Sequence, residues 1–165
     1  MSPIGHLAMG FAAKTAGAGA KVPLGVLLAA SWLLDILYFI FAFAGLESAE
    51  NITKPGVVPT PFSHGLFMAV VWSVLAGVLA WRVYHSQRAG MVIGLVVFSH
   101  WVLDFISWNN LYLFFEGSPK VGLGLFNSLG GNFILVEVGL MVVGLAIYFV
   151  TRRHARLTVV SSVNQ

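Results

Sequence analysis

Four long apolar stretches, separated by polar loops, dominate the pattern of the chain. They cover residues 22–46, 65–84, 90–108 and 132–150, and none contains a proline beyond its first turn. Each approaches or exceeds the roughly 20 residues that a helix needs to cross a bilayer. Hydrocarbon offers the backbone no hydrogen bonds, so a helix, which pairs its own N–H and C=O groups, is the expected structure. The pattern predicts four membrane-spanning helices.

A fifth stretch, residues 3–20, is rich in Gly and Ala and carries His6 and Lys14. It can be an interfacial helix, or a further span packed inside the bundle, since small residues allow helices to approach closely. We expect the second arrangement, with Lys14 extending its ammonium group toward the cytoplasmic interface. The expected fold is an all-α integral membrane bundle of five helices, four clear spans plus a short N-terminal helix. It forms one domain, and residues 158–165 are expected to be a disordered tail.

Composition and charge agree with a lipid-facing surface. The chain is 58% hydrophobic and 9% charged, whereas soluble domains carry roughly 25% charged residues. There is no basic run for nucleic acid, and the absence of cysteine excludes thiolate metal sites. Most positive charges flank the apolar stretches, at Lys14, Lys21, Arg82, Arg88, Arg152, Arg153 and Arg156. The apolar stretches predict a multi-pass protein of the inner (cytoplasmic) membrane, and the positive-inside rule places the C-terminus in the cytoplasm and the N-terminus outside.

Ionisable residues inside apolar spans are costly and usually mark function. Asp35, His100, Asp104 and Glu137 lie within the stretches, and His64 stands at the start of one. At a rise of about 1.5 Å per residue, Asp35 lies ~20 Å, His100 ~15 Å and Asp104 ~21 Å from the inner end of its helix. His64 lies at the outer end of its helix, and Glu137 lies ~8 Å from the outer end of its own helix, toward the membrane interior. These side chains, with His6 if the first stretch inserts, are predicted to share the outer half of the membrane.

His100 and Asp104 are four residues apart, which places both on one helix face. A divalent cation would offset several carboxylates in a low dielectric, and a His and Asp set suits Zn or Mn. Such an ion with an open position lowers the pKa of a bound water toward about 7, which would support hydrolysis. A hydrogen-bonded pair that only fixes helix packing is the alternative. For Glu137 the alternatives are a general base, a further ligand, a partner for Lys120 or Lys14, or a protonated side chain hydrogen-bonded to Asn127 or Asn132.

Four short motifs carry a family resemblance: Gly5-His6-Leu7, Leu34-Asp35-Ile36, Phe62-Ser63-His64-Gly65 and Ser99-His100-Trp101-Val102-Leu103-Asp104. Together they resemble the bacterial membrane-bound metal-dependent hydrolases, over the first two-thirds of the chain. The family's Ser-His-x-x-Leu-Asp element is the most specific match. Two departures indicate a divergent branch. Leu37 replaces the second Asp of a Pro-Asp-x-Asp element, and the Arg that commonly precedes the second His element is absent.

The sequence therefore suggests a hydrolase that acts on a lipid or other amphipathic ester at the outer leaflet. His6, Asp35, His64, His100 and Asp104 would hold the metal, and Glu137 would be the base. The expected partners are membrane lipids and a lipid-like substrate, with no nucleic acid. Two other classes remain open: a transporter or proton relay that uses the same polar cluster, and a non-enzymatic membrane scaffold.

Overall fold

The computed structural model describes residues 3–15, 21–50 and 59–163, the side chains of Pro3 and residues 154–163 excepted. Within these ranges the chain is mostly helical, with one two-stranded sheet. The helices are α1 (Pro3–Ala13), α2 (Leu24–Ser31), α3 (Leu33–Phe43), α4 (Pro61–His64), α5 (Leu66–Tyr84), α6 (Gln87–Ser107), α7 (Leu125–Leu129) and α8 (Phe133–Val163). The antiparallel strands β1 (Leu111–Tyr112) and β2 (Lys120–Val121) lie between α6 and α7.

Among the described residues, three helical segments are long and apolar enough to cross a membrane: Leu66–Tyr84, Gln87–Ser107 and Leu125–Arg153. The structure confirms a mostly helical chain whose apolar helices are long enough to span a membrane. α8 continues to Val163, so helical backbone extends into the segment predicted as a tail.

The second predicted span is not one continuous helix. α2 and α3 are bent by 55° at Trp32, and they make a fourth candidate span only if the pair counts as one. Neither Pro nor Gly stands at the bend, but the Ser31 hydroxyl donates a hydrogen bond to the Leu28 carbonyl at 2.7 Å. A serine that bonds back to its own helix in this way often bends it.

The predicted fifth helix is shorter than a span. α1 has 11 residues, which is about 16 Å of helix against a hydrocarbon core of about 30 Å. Residues 16–20 of this stretch lie outside the described part of the chain. Lys14 donates from Nζ to the Val22 carbonyl at 2.6 Å. α1 packs closely on α8 at Gly144. A Cβ added there would lie 2.7 Å from the Ala8 carbonyl oxygen, so the contact depends on the missing side chain. His6 is thereby enclosed between helices, with 1% of the residue exposed.

α5 and α6 form a closely packed helical hairpin through glycine. A Cβ on Gly90 would lie 2.6 Å from the Gly77 carbonyl oxygen, and one on Gly94 would lie 3.0 Å from that of Ser73. Small residues at such contacts let two backbones approach closely. Ser86 caps the start of α6, where its hydroxyl accepts a hydrogen bond from the Ala89 N–H at 3.3 Å. This hairpin fixes α6, whose second half carries His100 and Asp104.

Candidate metal centre

Separate helices bring five ionisable side chains to one place in the bundle. α1 supplies His6, the first turn of α3 supplies Asp35, the last residue of α4 is His64, and α6 supplies His100 and Asp104. All five belong to groups of three in which the possible ligand atoms lie within 4.8 Å of one another. The side chains that the sequence places at a common depth therefore also point toward each other.

Four donor atoms form the centre of this cluster. His64 Nε2 lies 3.4 Å from Asp35 Oδ1 and 3.5 Å from Asp104 Oδ2. His100 Nε2 lies 3.6 Å and 3.4 Å from the same two oxygens. N–H···O hydrogen bonds measure about 2.7–3.2 Å, so the four atoms are close without being hydrogen-bonded to one another.

These nitrogen-to-oxygen separations match those between neighbouring ligands of one cation. Zn–N and Zn–O bonds measure about 2.0–2.2 Å, and two corners of a tetrahedron lie about 1.63 bond lengths apart, so ligand atoms are expected about 3.3–3.6 Å from each other. The four observed distances, between 3.4 and 3.6 Å, fall in this range. Two imidazole nitrogens and two carboxylate oxygens are also a donor set that zinc and manganese accept.

The bend between α2 and α3 orients His100. In an unbroken helix the Ser31 carbonyl would accept the N–H of Asp35. Here it lies 2.7 Å from His100 Nδ1. A carbonyl can only accept, so Nδ1 carries a proton, and in the neutral form of the ring the Nε2 lone pair faces the two carboxylates. Such a bond from the outer ring nitrogen is typical of histidine ligands.

His64 is oriented by two residues that the sequence analysis did not select. Its Nδ1 lies 2.8 Å from Ser63 Oγ, and that hydroxyl donates to Glu47 Oε2 at 2.7 Å. In the sequence, Glu47 is the charged residue that directly follows the apolar stretch 22–46. The local signal was Pro61, which is typical of the first position of a helix and so implies nearby N–H groups that need an acceptor. Nothing in the sequence identifies Glu47 as that acceptor.

His6 lies against the other face of the cluster. Its ring stacks on that of His100, with centroids 3.6 Å apart and planes 6° apart, and its Nε2 lies 3.4 Å from Asp104 Oδ1. Neither ring nitrogen of His6 has a hydrogen-bond partner among the described residues. The two groups of possible ligands share His100. Because Nδ1 of His100 is bonded to Ser31, only one nitrogen is left, so the groups describe one centre rather than two.

Glu137 is buried on α8, with 3% of the residue exposed. It belongs to neither group of possible ligands within the described ranges. Its assignment as a base stays a prediction.

Comparison of the chain with protein-family models, with curated proteins and with solved structures gives no match. The resemblance to membrane-bound metal-dependent hydrolases therefore depends on the four short motifs alone. The geometry of the site carries the functional argument.

Proposed function

We propose that this protein is a membrane-embedded, metal-dependent hydrolase with one divalent ion, Zn or Mn. Asp35, His64, His100 and Asp104 would hold the ion, and His6 would be an additional ligand. The observation that carries the proposal is the arrangement of the four donor atoms. The four nitrogen-to-oxygen distances between them lie in the range expected for ligands of one cation, while the outer nitrogen of each central histidine is occupied by its own partner.

A cation explains this arrangement better than a packing contact does. With both Nδ1 atoms protonated, the neutral rings direct Nε2 lone pairs at carboxylate oxygens, and lone pairs repel each other. His100 Nε2 has no hydrogen-bond partner among the described residues. Carboxylates are costly to bury, and a positive charge bound among them offsets that cost. A divalent ion turns the same atoms into favourable ligands.

Asp35 is the residue best placed to take part in the reaction. Its side chain is 25% exposed, whereas the other four donors are at most 10% exposed. Oδ1 faces the two histidines, and Oδ2 has no hydrogen-bond partner within the described part of the chain. When bound, the ion would polarise the ester and lower the pKa of a bound water. Asp35 would accept the proton that this water loses.

The surroundings of Asp35 favour an apolar ester. Its helix neighbours Ile36 and Phe39 are exposed, at 41% and 44%, so the open side of the site borders apolar surface of the kind that acyl chains cover. The arginine that the resemblance would place before His64 is absent. We therefore propose a carboxylic ester with a lipid-like chain rather than a phosphate ester.

The first test is the metal content of protein purified in detergent. We expect about one Zn or Mn per chain, and loss of this metal in His100→Ala and Asp104→Ala. His85→Asn and Glu116→Gln are matched controls, since both residues are exposed outside the site. Asn suits position 85, where the backbone is left-handed with φ 49°.

The second test is turnover of a lipid-like carboxylic ester, measured with and without a chelator. Activity that disappears on chelation, returns with Zn or Mn and is absent in His100→Ala supports a hydrolase. Protein without metal that conducts protons in liposomes would instead indicate a relay. Bound metal that stabilises the protein, without turnover of any carboxylic or phosphate ester, would indicate a scaffold. Either result would overturn the proposal.

A further inference from the structure

Glu47 and Ser63 are two buried polar residues beside the cluster, and neither belongs to its ligand atoms. Glu47 is 8% exposed and Ser63 is fully buried. We infer that they are a positioning pair, which fixes the ring of His64 and holds its proton on Nδ1 so that Nε2 faces the metal. This inference rests on the proposed metal site, and it adds two residues that determine metal affinity.

The direction of each hydrogen bond follows from the number of protons present. A serine hydroxyl has one proton, and an ionised carboxylate can only accept. The Ser63 proton therefore goes to Glu47 Oε2, at 2.7 Å. Ser63 Oγ is left as an acceptor for His64 Nδ1, at 2.8 Å. The chain from carboxylate to hydroxyl to imidazole thus selects the Nδ1-protonated ring.

The same contacts exclude the other familiar role of a serine beside a histidine. A nucleophilic serine gives its proton to the histidine and must reach the substrate. Ser63 is fully buried, and its proton is directed to Glu47. Ser63 therefore supports the ring and does not attack a substrate.

Glu47 also fixes the short helix that carries His64. Its Oε1 accepts the backbone N–H groups of Phe62 at 2.8 Å and Ser63 at 3.0 Å. The loop that supplies Glu47 is held to α3, because the Tyr38 hydroxyl donates to the Ser48 carbonyl at 3.0 Å. α4 is thereby attached to α3, the helix of Asp35, and the 3.4 Å separation of His64 Nε2 from Asp35 Oδ1 depends on that attachment.

The chain contains a matched control for this pair. Ser99 precedes His100 just as Ser63 precedes His64. However, the Ser99 hydroxyl donates to the Val96 carbonyl of its own helix, at 2.7 Å. Ser63→Ala removes the bond to the imidazole, whereas Ser99→Ala removes a serine beside a histidine ligand without changing that ligand's own bond. Ser63→Thr keeps the hydroxyl and is the rescue variant.

Two measurements test the inference. The first is ¹⁵N NMR of metal-free protein labelled at histidine, with the His64 signal identified by its loss in His64→Gln. We expect His64 to carry its proton on Nδ1 in the unsubstituted protein, in Ser63→Thr and in Ser99→Ala, and to become a mixture of tautomers in Ser63→Ala. The second is Co(II) affinity, read from the visible spectrum. We expect Ser63→Ala and Glu47→Gln to bind roughly 10–100-fold more weakly, while the other two variants keep their affinity.

The outcomes separate this inference from the proposed function. If His64 carries its proton on Nε2, or if Ser63→Ala and Glu47→Gln bind Co(II) as tightly as the unsubstituted protein, the positioning role is wrong and the metal site stands. If neither the unsubstituted protein nor any variant binds Co(II), Zn or Mn, the proposed metal site is wrong. The inferred effect of Glu47 and Ser63 on metal affinity is then wrong as well.

Discussion

The two halves of α6 make opposite kinds of contact. The first half packs on α5 through glycine, with Gly90 against the backbone of Gly77. The second half holds His100 and Asp104 against side chains from α1, α3 and α4. One half is apolar, and its partner is the preceding helix. The other half, here called the polar half for its His100 and Asp104, has partners for these two residues from distant parts of the chain.

This difference determines how each half is stabilised. The glycine contact gains from van der Waals packing of two backbones and needs nothing from outside the chain. The polar half places the Asp104 carboxylate, together with that of Asp35 from α3, among imidazole rings inside the bundle, which is unfavourable unless positive charge compensates them. We therefore expect the stability of the second half to depend on the metal, and that of the first half to be independent of it.

Chelation should have the largest effect on stability. A ligand present at a thousand times its Kd stabilises a folded protein by about 4 kcal/mol. Unfolding in detergent, followed with and without excess Zn, should show a difference of this order in the unsubstituted protein. His100→Ala should unfold at the same denaturant concentration in both conditions. Equal stability of the unsubstituted protein with and without Zn or Mn would contradict the assignment of the polar half.

A methyl group at Gly90 should have a smaller effect that metal does not change. The added Cβ would lie 2.6 Å from the Gly77 oxygen and 2.9 Å from Trp81 Cβ, so Gly90→Ala forces the two helices apart. We expect a loss of about 1–3 kcal/mol in the free energy of unfolding, with unchanged metal content.

Gly139→Ala is the control for this substitution, because nothing lies within 4 Å of the added Cβ. Alanine favours helix over glycine by up to about 1 kcal/mol, so this variant should be as stable as the unsubstituted protein or slightly more so. Metal loss in Gly90→Ala would show that the two halves of α6 are not independent.

The contrast between the halves also explains what the sequence could predict. Apolar stretches are local features, and the predicted stretches 65–84 and 90–108 correspond closely to α5 and α6. Depth along a helix is also a local quantity. It placed Asp35, His64, His100 and Asp104 in one layer, and the structure brings them together. The same reasoning included Glu137, which lies outside the ligand groups, because depth does not specify which side of a helix a residue occupies.

The features that the sequence did not predict depend on distant partners. The bend at Trp32 presents the Ser31 carbonyl to His100, which is 69 residues away. No Pro or Gly near Trp32 predicts such a bend. Glu47 and Ser63 are 16 positions apart in the sequence, and the charge of Glu47 alone gave no reason to place it beside a histidine. Partners of this kind are fixed by tertiary packing, so a single sequence does not identify them.

The smallest expected effect is at the start of α6, and it tests whether the helix transmits a disturbance from one half to the other. The Ser86 hydroxyl caps the helix through the Ala89 N–H, and losing such a cap costs about 1 kcal/mol. Asp104 lies about 27 Å further along the helix axis. Ser86→Ala should therefore lower the free energy of unfolding by this amount without changing Co(II) affinity, while Ser86→Asp, which keeps a capping oxygen, should restore stability. Weaker Co(II) binding in Ser86→Ala, with the fold intact, would mean that fraying at one end of α6 shifts His100 and Asp104, and the helix would have to be treated as one coupled element.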